Sequence, residues 1–210
     1  MEEKRKALIE KVAGFRQPNL TVVLENVHDS HNIGAVMRTC DSVGIQTVYL
    51  LNTQNIPLKN IVLGKRTSSG SRKWLDVHLF QDRAACFTAL RQKYDKIYST
   101  HMAADAVSLY ELDLTESVAL VFGNERDGIT KETLALCDGN FLIPQYGFVQ
   151  SLNISVSCAI SLYEALRQRE NAGFYAENSP LTPLERQSIV DDFVEKHESQ
   201  RRGKKPKLEG

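Results

Sequence analysis

Three short polar segments of this sequence each follow a predicted strand. The first contains Asn32 and Arg38, the second contains Glu125 in a turn bounded by glycines, and the third contains Ser151 and Asn153. In open α/β folds, ligands bind beyond the carboxyl ends of the strands. The three segments therefore predict a polar ligand site. The alternative is that Asn32 and the third segment only cap helices, and that Arg38 lies on the surface.

The geometry of the first segment sets a condition on this site. Asn32 and Arg38 are six residues apart, which is more than one and a half helical turns. They can point into one cleft if the chain bends at Asn32. In the second segment, the glycines allow a ligand to approach the backbone closely.

Two nucleotide-binding motifs are absent from the sequence. Gly123 and Gly128 have the separation of a phosphate-binding loop, but Ile129-Thr130 replaces the required Lys-Ser/Thr pair. No G-x-G occurs anywhere in the chain. The sequence therefore excludes the triphosphate-binding loop, the dinucleotide fingerprint and the glycine loop of the common Rossmann methyltransferases.

A metal centre is not expected. The chain has 4 cysteines but no C-x-x-C pair, so we interpret them as reduced packing thiols. His28 and His31 form an H-x-x-H without a cluster of further ligands nearby, which favours a role at a turn or helix start.

Composition indicates a globular, non-membrane protein. The 210 residues are 42% hydrophobic and 25% charged. The longest apolar run, Val118 to Phe122, is far shorter than the roughly 20 residues of a membrane-spanning helix. No apolar signal-peptide stretch follows the charged N-terminus, so we expect a cytoplasmic protein.

Positive charge is concentrated locally, although 26 basic and 26 acidic residues cancel overall. One cluster spans 59–73 and contains several hydroxyl residues, and a second forms the C-terminal tail. Either cluster could be ordinary solvated charge, but their combination favours contacts with the phosphates of a polyanion. The residues predicted to make these contacts are Lys65, Arg66, Arg72, Lys73, Arg201, Arg202, Lys204 and Lys205.

Strands of three to six residues alternate with helices from Thr21 to Arg169. This alternation predicts an α/β fold with a mostly parallel sheet that helices cover on both faces. A short helix precedes it, and Thr182-Pro183-Leu184-Glu185 starts another helix after it. We expect an N-terminal helical extension over 1–19, an α/β domain over 20–172, and a C-terminal helix with a basic tail over 173–210.

The three segments, taken in order, resemble the motifs of the SPOUT RNA methyltransferases, and within these the TrmH-like 2′-O-ribose methyltransferases. The resemblance is carried by Asn32-x-Gly34-x-x-x-Arg38, Phe122-Gly123-Asn124-Glu125-x-x-Gly128, Ile143-Pro144 and Ser151-Leu152-Asn153-x-Ser155-Val156. It implies S-adenosylmethionine as cofactor, a C-terminal trefoil knot and a homodimer. Ser157-Cys158 departs from the small residues of many relatives, at a place with no proposed role.

Roles follow from the resemblance position by position. Arg38 would be catalytic, and Asn32, Glu125, Ser151 and Asn153 would shape the site. The cofactor would lie near Thr100, Gly123, Ile143 and Leu152. Because a guanidinium hardly deprotonates, we expect Arg38 to bind the phosphate of the target nucleotide and stabilise a developing alkoxide, and not to act as a base.

The short terminal extensions most resemble relatives that methylate the D-loop guanosine at position 18 of tRNA. Ribosomal RNA or another tRNA position is the alternative target. A non-catalytic RNA-binding module and a methyltransferase for a small molecule or protein are two further possibilities. Cofactor binding would argue against the first of these, and a strong salt dependence of activity against the second.

Overall fold

The computed structural model describes residues 3–54, 70–103, 105–149, 151–176 and 178–201, without the side chains of the last two residues. The described chain contains seven strands: β1 Leu20–Glu25, β2 Thr47–Leu51, β3 Asp76–Phe80, β4 Lys96–Thr100, β5 Val107–Ser108, β6 Val118–Phe122 and β7 Gly139–Leu142. Its α-helices are α1 Glu3–Ala13, α2 Ser30–Ser42, α3 Arg83–Arg91, α4 Lys131–Leu134, α5 Ile154–Asn171 and α6 Pro183–Arg201.

The strands form one sheet in the order β3-β2-β1-β6-β4-β7-β5, and every pair is parallel. The predicted α/β fold is thereby confirmed. β1 and β6 lie at the centre and are buried along their whole length, as expected of parallel strands covered on both faces. Their polar flanking segments consequently meet at the two ends of the sheet.

Two apolar layers cover the sheet. One layer contains Leu20, Val22 and Leu24 of β1 with residues of α2 and α5. The other contains Val23 of β1 with residues of α3. Side chains of a strand alternate between faces, so one strand supplies both layers. No described helix is long and apolar enough to cross a membrane.

Outside this core, α1 packs against α6 through Ile9, Ala13, Val190 and Phe193. Trp74 meets Phe193 edge-on, with ring centroids 5.3 Å apart. These contacts attach both terminal helices to the body of the protein beside the end of the basic 59–73 segment.

Arg169 of α5 closes the amino end of the sheet. Its guanidinium is fully buried and donates to the carbonyl oxygens of Leu114, Glu116 and Asn19 at 2.8, 2.7 and 3.3 Å. It also donates to the side-chain oxygens of Asn19 and Gln17 at 2.6 and 3.1 Å. Burial lowers the pKa of Arg169 to about 10. One cation thereby fastens the segments that enter β1 and β6.

Several element boundaries differ from the predictions. α2 begins at Ser30 because Asp29 accepts a hydrogen bond from the His31 N–H and caps the helix, so Asn32 lies inside its first turn. α5 begins at Ile154, and Ser151 precedes it. The predicted last strand, 141–143, starts earlier and ends at Leu142. The short edge strand β5 was not predicted.

Candidate active site

A chain of hydrogen bonds joins all three polar segments at the carboxyl end of the sheet. Asn32 donates through its side-chain amide to the Glu125 carboxylate. Asn153 donates to the side-chain oxygen of Asn32 at 3.1 Å. These partners are 93 and 121 residues apart in the sequence. The structure thus brings three of the five predicted catalytic residues into direct contact.

Asn153 has two functions in this arrangement. Its side-chain oxygen accepts from the N–H and the hydroxyl of Ser155 at 2.8 and 2.6 Å, which caps α5. Its amide nitrogen remains free to donate to Asn32. The predicted alternative of plain capping is therefore correct for Asn153 but incomplete, because the same side chain also contacts the site.

The turn that carries Glu125 is closed on itself. A side chain on Gly123 would place its Cβ 2.2 Å from the backbone of Gly128, so only glycine fits there. Gly128 has a φ of +66°, and its N–H donates to the Asn124 carbonyl at 3.0 Å. The Asn124 side chain accepts from the N–H groups of Arg126 and Asp127 at 2.9 and 2.8 Å. Glu125 is held exposed at the tip of this turn.

Beside the hydrogen-bonded chain lies a cleft of about 830 Å³. It opens where β4, β6 and β7 end and α5 begins. The predicted site residues that line it are Thr100, Gly123, Glu125, Ile143, Ser151, Leu152 and Asn153. All four predicted cofactor-binding residues therefore line the same cleft.

Gln145 also lines this cleft, and the sequence reasoning missed it. Its side-chain oxygen is buried and accepts no hydrogen bond from the described residues. A buried acceptor of this kind is costly unless a ligand or water supplies a donor. Its position could have identified it. Gln145 follows β7 as Ile143 does, and ligands in open α/β folds bind beyond the carboxyl ends of the strands; we call this the strand-end rule.

Arg38 does not join the cleft of its own chain. It is exposed on α2, does not line the cleft, and has no hydrogen bond or ion pair within the part of the chain that the structure describes. The bend at Asn32 that would bring Asn32 and Arg38 into one cleft is absent, because α2 continues unbroken from Ser30 to Ser42. Six residues of a regular helix turn the side chain by about 120° from its starting direction. Arg38 therefore points away from the direction of Asn32.

Arg72 and Lys73 are the two predicted phosphate-contacting residues whose side chains the structure describes, and Lys73 packs on Trp74 together with Arg5 of α1. The Lys73 ammonium lies 4.3 Å from the centre of the indole ring, and the Arg5 guanidinium lies 5.2 Å from it. Burial lowers the pKa of Arg72 and, together with the nearby Arg5 charge, that of Lys73. Lys65, Arg66, Arg202, Lys204, Lys205 and the Arg201 side chain lie outside the described residues.

Comparison with known proteins supplies the family. Residues 19–163 match the profile of the SpoU rRNA methylase family. This chain belongs to the SpoU methylase family. The family match contains the three polar segments, so the resemblance to TrmH-like methyltransferases is confirmed. The described residues of this SpoU methylase contain no group of three potential metal ligands.

Individual relatives match most of the chain. A tRNA (guanosine(18)-2′-O)-methyltransferase of Thermus thermophilus is 42% identical over 195 residues, which cover 92% of this chain and 97% of that protein. The crystal structure of the Aquifex aeolicus TrmH/SpoU tRNA modifying enzyme covers 93% of this chain and 97% of its own, with 33% identity and a TM-score of 0.83. The crystal structure of an AdoMet-bound rRNA methyltransferase of Sinorhizobium meliloti covers 74% of this chain and 59% of its own, with 26% identity and a TM-score of 0.61.

Proposed function

We propose that this SpoU methylase transfers a methyl group from S-adenosylmethionine to a ribose 2′-hydroxyl in tRNA, at the D-loop guanosine in position 18. The observation that carries the proposal is the hydrogen-bonded chain Glu125–Asn32–Asn153 at the edge of a ligand-sized cleft. The target nucleotide is taken from the Thermus relative, whose length this chain matches almost completely.

The cleft fits the methyl donor chemically. Apolar side chains of Phe122, Phe141 and Leu152 offer a surface for a flat base. Gln145 offers an acceptor to which none of the residues that the structure describes donates. The absence of a side chain on Gly123 allows the closed turn to form one wall. When bound, the cofactor supplies an electrophilic methyl group on a positively charged sulfur.

The polar residues of the site orient the acceptor. A ribose hydroxyl is a poor acid, so its oxygen must be positioned and its developing negative charge stabilised. The Asn32 amide, itself held by Asn153, fixes the Glu125 carboxylate. The same amides offer further hydrogen-bonding groups beside the exposed Ser151. Arg38 binds the phosphate of the target nucleotide through two parallel hydrogen bonds and lowers the cost of forming the alkoxide. The proton leaves to water or phosphate.

The position of Arg38 supports a homodimer. On α5, Val156 and Tyr163 are 45% and 52% exposed and lie two turns apart on one face of a helix that packs beside α2. A second copy of the chain covering this face would bring its own α2 next to the cleft. In this arrangement Arg38 of the partner subunit completes the site that Arg38 of the same chain does not reach.

The strand order supports the knot. β7 lies between β4 and β5, although both precede it in the chain. The chain after β6 must therefore pass between two strands that segment 101–106 already connects. We place a trefoil knot here, in a catalytic domain over 20–172 with a helical extension at each end.

The enzyme acts in the cytoplasm, on tRNA whose backbone contacts Arg72, Lys73 and the basic tail.

A single assay tests the reaction and its position. Purified protein is incubated with tritium-labelled S-adenosylmethionine and an unmodified tRNA carrying guanosine at position 18. The matched control is the same tRNA with 2′-deoxyguanosine at that position, which lacks only the acceptor hydroxyl. We expect label in the first RNA and none in the second. Equal labelling of both would refute the proposed position.

The same assay, repeated with other RNAs and at increasing salt and accompanied by binding measurements, distinguishes the other candidate functions. Label in ribosomal RNA or at another tRNA nucleotide would retain the chemistry and change the target. RNA binding without cofactor binding would indicate a non-catalytic module. Transfer that is insensitive to salt would indicate a small-molecule or protein substrate, because several phosphate contacts make RNA binding weaken steeply as salt increases.

A further inference from the structure

One buried carboxylate close to the site has no role in the proposed reaction. Glu25 is the last residue of β1, and its side chain is fully buried. It belongs to the face of the sheet that α3 and α4 cover, opposite to the α2 and α5 face that carries Asn32 and Asn153. A buried charge of this kind must be compensated by polar groups around it.

Three hydrogen-bond donors and one cation surround Glu25. One carboxylate oxygen accepts from the Thr130 N–H at 3.0 Å. The other accepts from the hydroxyls of Thr130 and Thr133 at 2.7 and 2.6 Å. The Arg83 guanidinium lies 3.6 Å from the same oxygen and donates to both hydroxyls, at 3.0 and 2.8 Å. An ionised carboxylate suits these neighbours because it only accepts hydrogen bonds.

The main partner of Glu25 is the stem of the turn that carries Glu125. Thr130 follows the positive-φ residue Gly128 by two positions and caps the short helix α4. Two of the three hydrogen bonds to Glu25 come from Thr130. The end of the closed turn is therefore attached to a neighbouring strand of the sheet through this one side chain.

Glu25 also begins the first polar segment. Its chain neighbour Asn26 has a φ of +54°, an unusual backbone conformation for a residue other than glycine. The Asn26 side chain accepts from the Thr53 N–H at 2.9 Å and donates to the Thr53 hydroxyl at 3.0 Å. The first polar segment thus starts at Glu25, and the 123–130 turn ends in contact with Glu25 through Thr130. The two segments meet a second time where Asn32 contacts Glu125.

We infer that Glu25 is a positioning residue for the methyl-transfer site. By holding the stem of the 123–130 turn against the start of the 26–32 segment, it fixes where Glu125 meets Asn32 and where the turn faces the cofactor cleft. This inference rests on the proposed function for its catalytic consequence. Its structural content, the restraint on the turn, does not depend on the identity of the cofactor.

The test compares Glu25→Gln with Thr133→Val. The first substitution keeps the size of the side chain but turns an –NH₂ group toward a donor. The second removes a hydroxyl that also contacts Glu25 but keeps both hydrogen bonds from Thr130 to Glu25, so it controls for a purely structural effect. Measurements are the thermal midpoint, amide hydrogen exchange at 128–130, the Kd for S-adenosylmethionine, and kcat at saturating cofactor and tRNA.

We expect both variants to lower the thermal midpoint. Only Glu25→Gln should weaken cofactor binding and reduce kcat, each by about tenfold to a hundredfold, the effect of one lost hydrogen bond to a charged group. It should also speed amide exchange at 128–130 by about tenfold or more, whereas Thr133→Val should change each of these values by less than about threefold.

Equal functional losses in the two variants, or unchanged exchange at 128–130 in Glu25→Gln, would overturn the inference. Wild-type methyl transfer is measured in the same series and decides the proposed function separately. If the wild type transfers no methyl group, amide exchange still decides whether Glu25 restrains the turn, because it needs neither cofactor nor RNA.

Discussion

The two ends of the central strands are both polar, but they use their polar groups in opposite ways. At the amino end, Arg169 is fully buried and every hydrogen bond it donates goes to a carbonyl or amide oxygen of the same chain. At the carboxyl end, Glu125 and Asn153 are exposed, and the buried Gln145 oxygen receives no hydrogen bond from the described part of the chain. The Arg169 guanidinium is saturated, because all five of its N–H groups donate, and we call this end of β1 and β6 the saturated end. The carboxyl end retains capacity for a ligand.

This difference shows why one sheet can carry both a rigid clamp and a reactive site. A buried cation surrounded by satisfied acceptors stabilises one geometry and offers nothing to a substrate. Exposed groups stabilise the protein little, but they can exchange water for a ligand at low cost. Substitutions at the amino end should therefore act on stability, and those at the carboxyl end on activity.

The largest effect is expected from Arg169→Met at the saturated end. The substitution keeps much of the side-chain length but leaves five buried hydrogen bonds unmade. We expect a loss of about 4 to 5 kcal/mol in the free energy of unfolding, measured by urea titration. A loss below about 1 kcal/mol would show that water replaces the guanidinium and that this end is not saturated.

Arg38→Ala should produce the next largest effect, on activity alone. We expect kcat for tRNA methylation to fall about a thousandfold, equivalent to about 4 kcal/mol, with an unchanged thermal midpoint and unchanged cofactor affinity. The matched control is Arg167→Ala, an exposed arginine of α5 that donates to Glu164 in the same helix. Near-normal turnover by Arg38→Ala would remove Arg38 from the mechanism.

Asn153→Ala should affect both properties, because this residue caps α5 and contacts Asn32. Loss of the cap should cost about 1 kcal/mol of stability, and loss of the contact should reduce kcat about a hundredfold. Combining it with Asn32→Ala should reduce kcat by much less than the product of the single effects, because both act through one hydrogen bond. Additive losses would contradict this shared action.

The smallest effect is expected from Asp138, which precedes β7 at the saturated end. Burial alone would raise the pKa of its carboxyl group, but hydrogen bonds from Arg91 and the Ile97 N–H, both at 2.7 Å, lower it below the ordinary value of 3.8. Asp138 therefore stabilises the fold above about pH 4 and loses this contribution as the pH falls through the lowered pKa.

We expect Asp138→Asn to be about 1 kcal/mol less stable than the wild type at pH 7, since the pair is partly screened by solvent. The difference in unfolding free energy should narrow as the pH falls below about 4. Urea titrations at several pH values measure it. A difference that stays constant down to pH 3 would assign the effect to side-chain geometry and not to charge.

The carboxyl end was largely predictable from the sequence, whereas the amino end was not. Buried strands such as Val118–Phe122 and the polar residues after them are local patterns, and the strand-end rule predicts where they meet. Arg169 appeared to be an ordinary residue near the end of a long helix. Its partners are mostly backbone carbonyls, which every residue possesses, so no residue type marks them.

The predicted start of α2 was wrong for a related reason. Asp29 and Asn32 are both good helix caps, and only the folded structure decides between them. With Asp29 as the cap, Asn32 is available for Glu125, and the unbroken helix directs Arg38 elsewhere. Gln145 and Glu25 were visible in the sequence, but their meaning depends on burial, which single-sequence patterns report poorly.

The pairing of β1 with β6 has a consequence for synthesis on the ribosome. The two strands that form the middle of the sheet are far apart in the sequence. The ribosome must add 93 residues after Asn32 before it reaches Glu125, the hydrogen-bond partner of Asn32. At roughly 5 to 20 residues per second, this delay is roughly 5 to 20 s. During that time the newly made β1 and β2 expose an uncovered strand edge, which is a risk for aggregation. This edge is covered only when β6 emerges and pairs with β1.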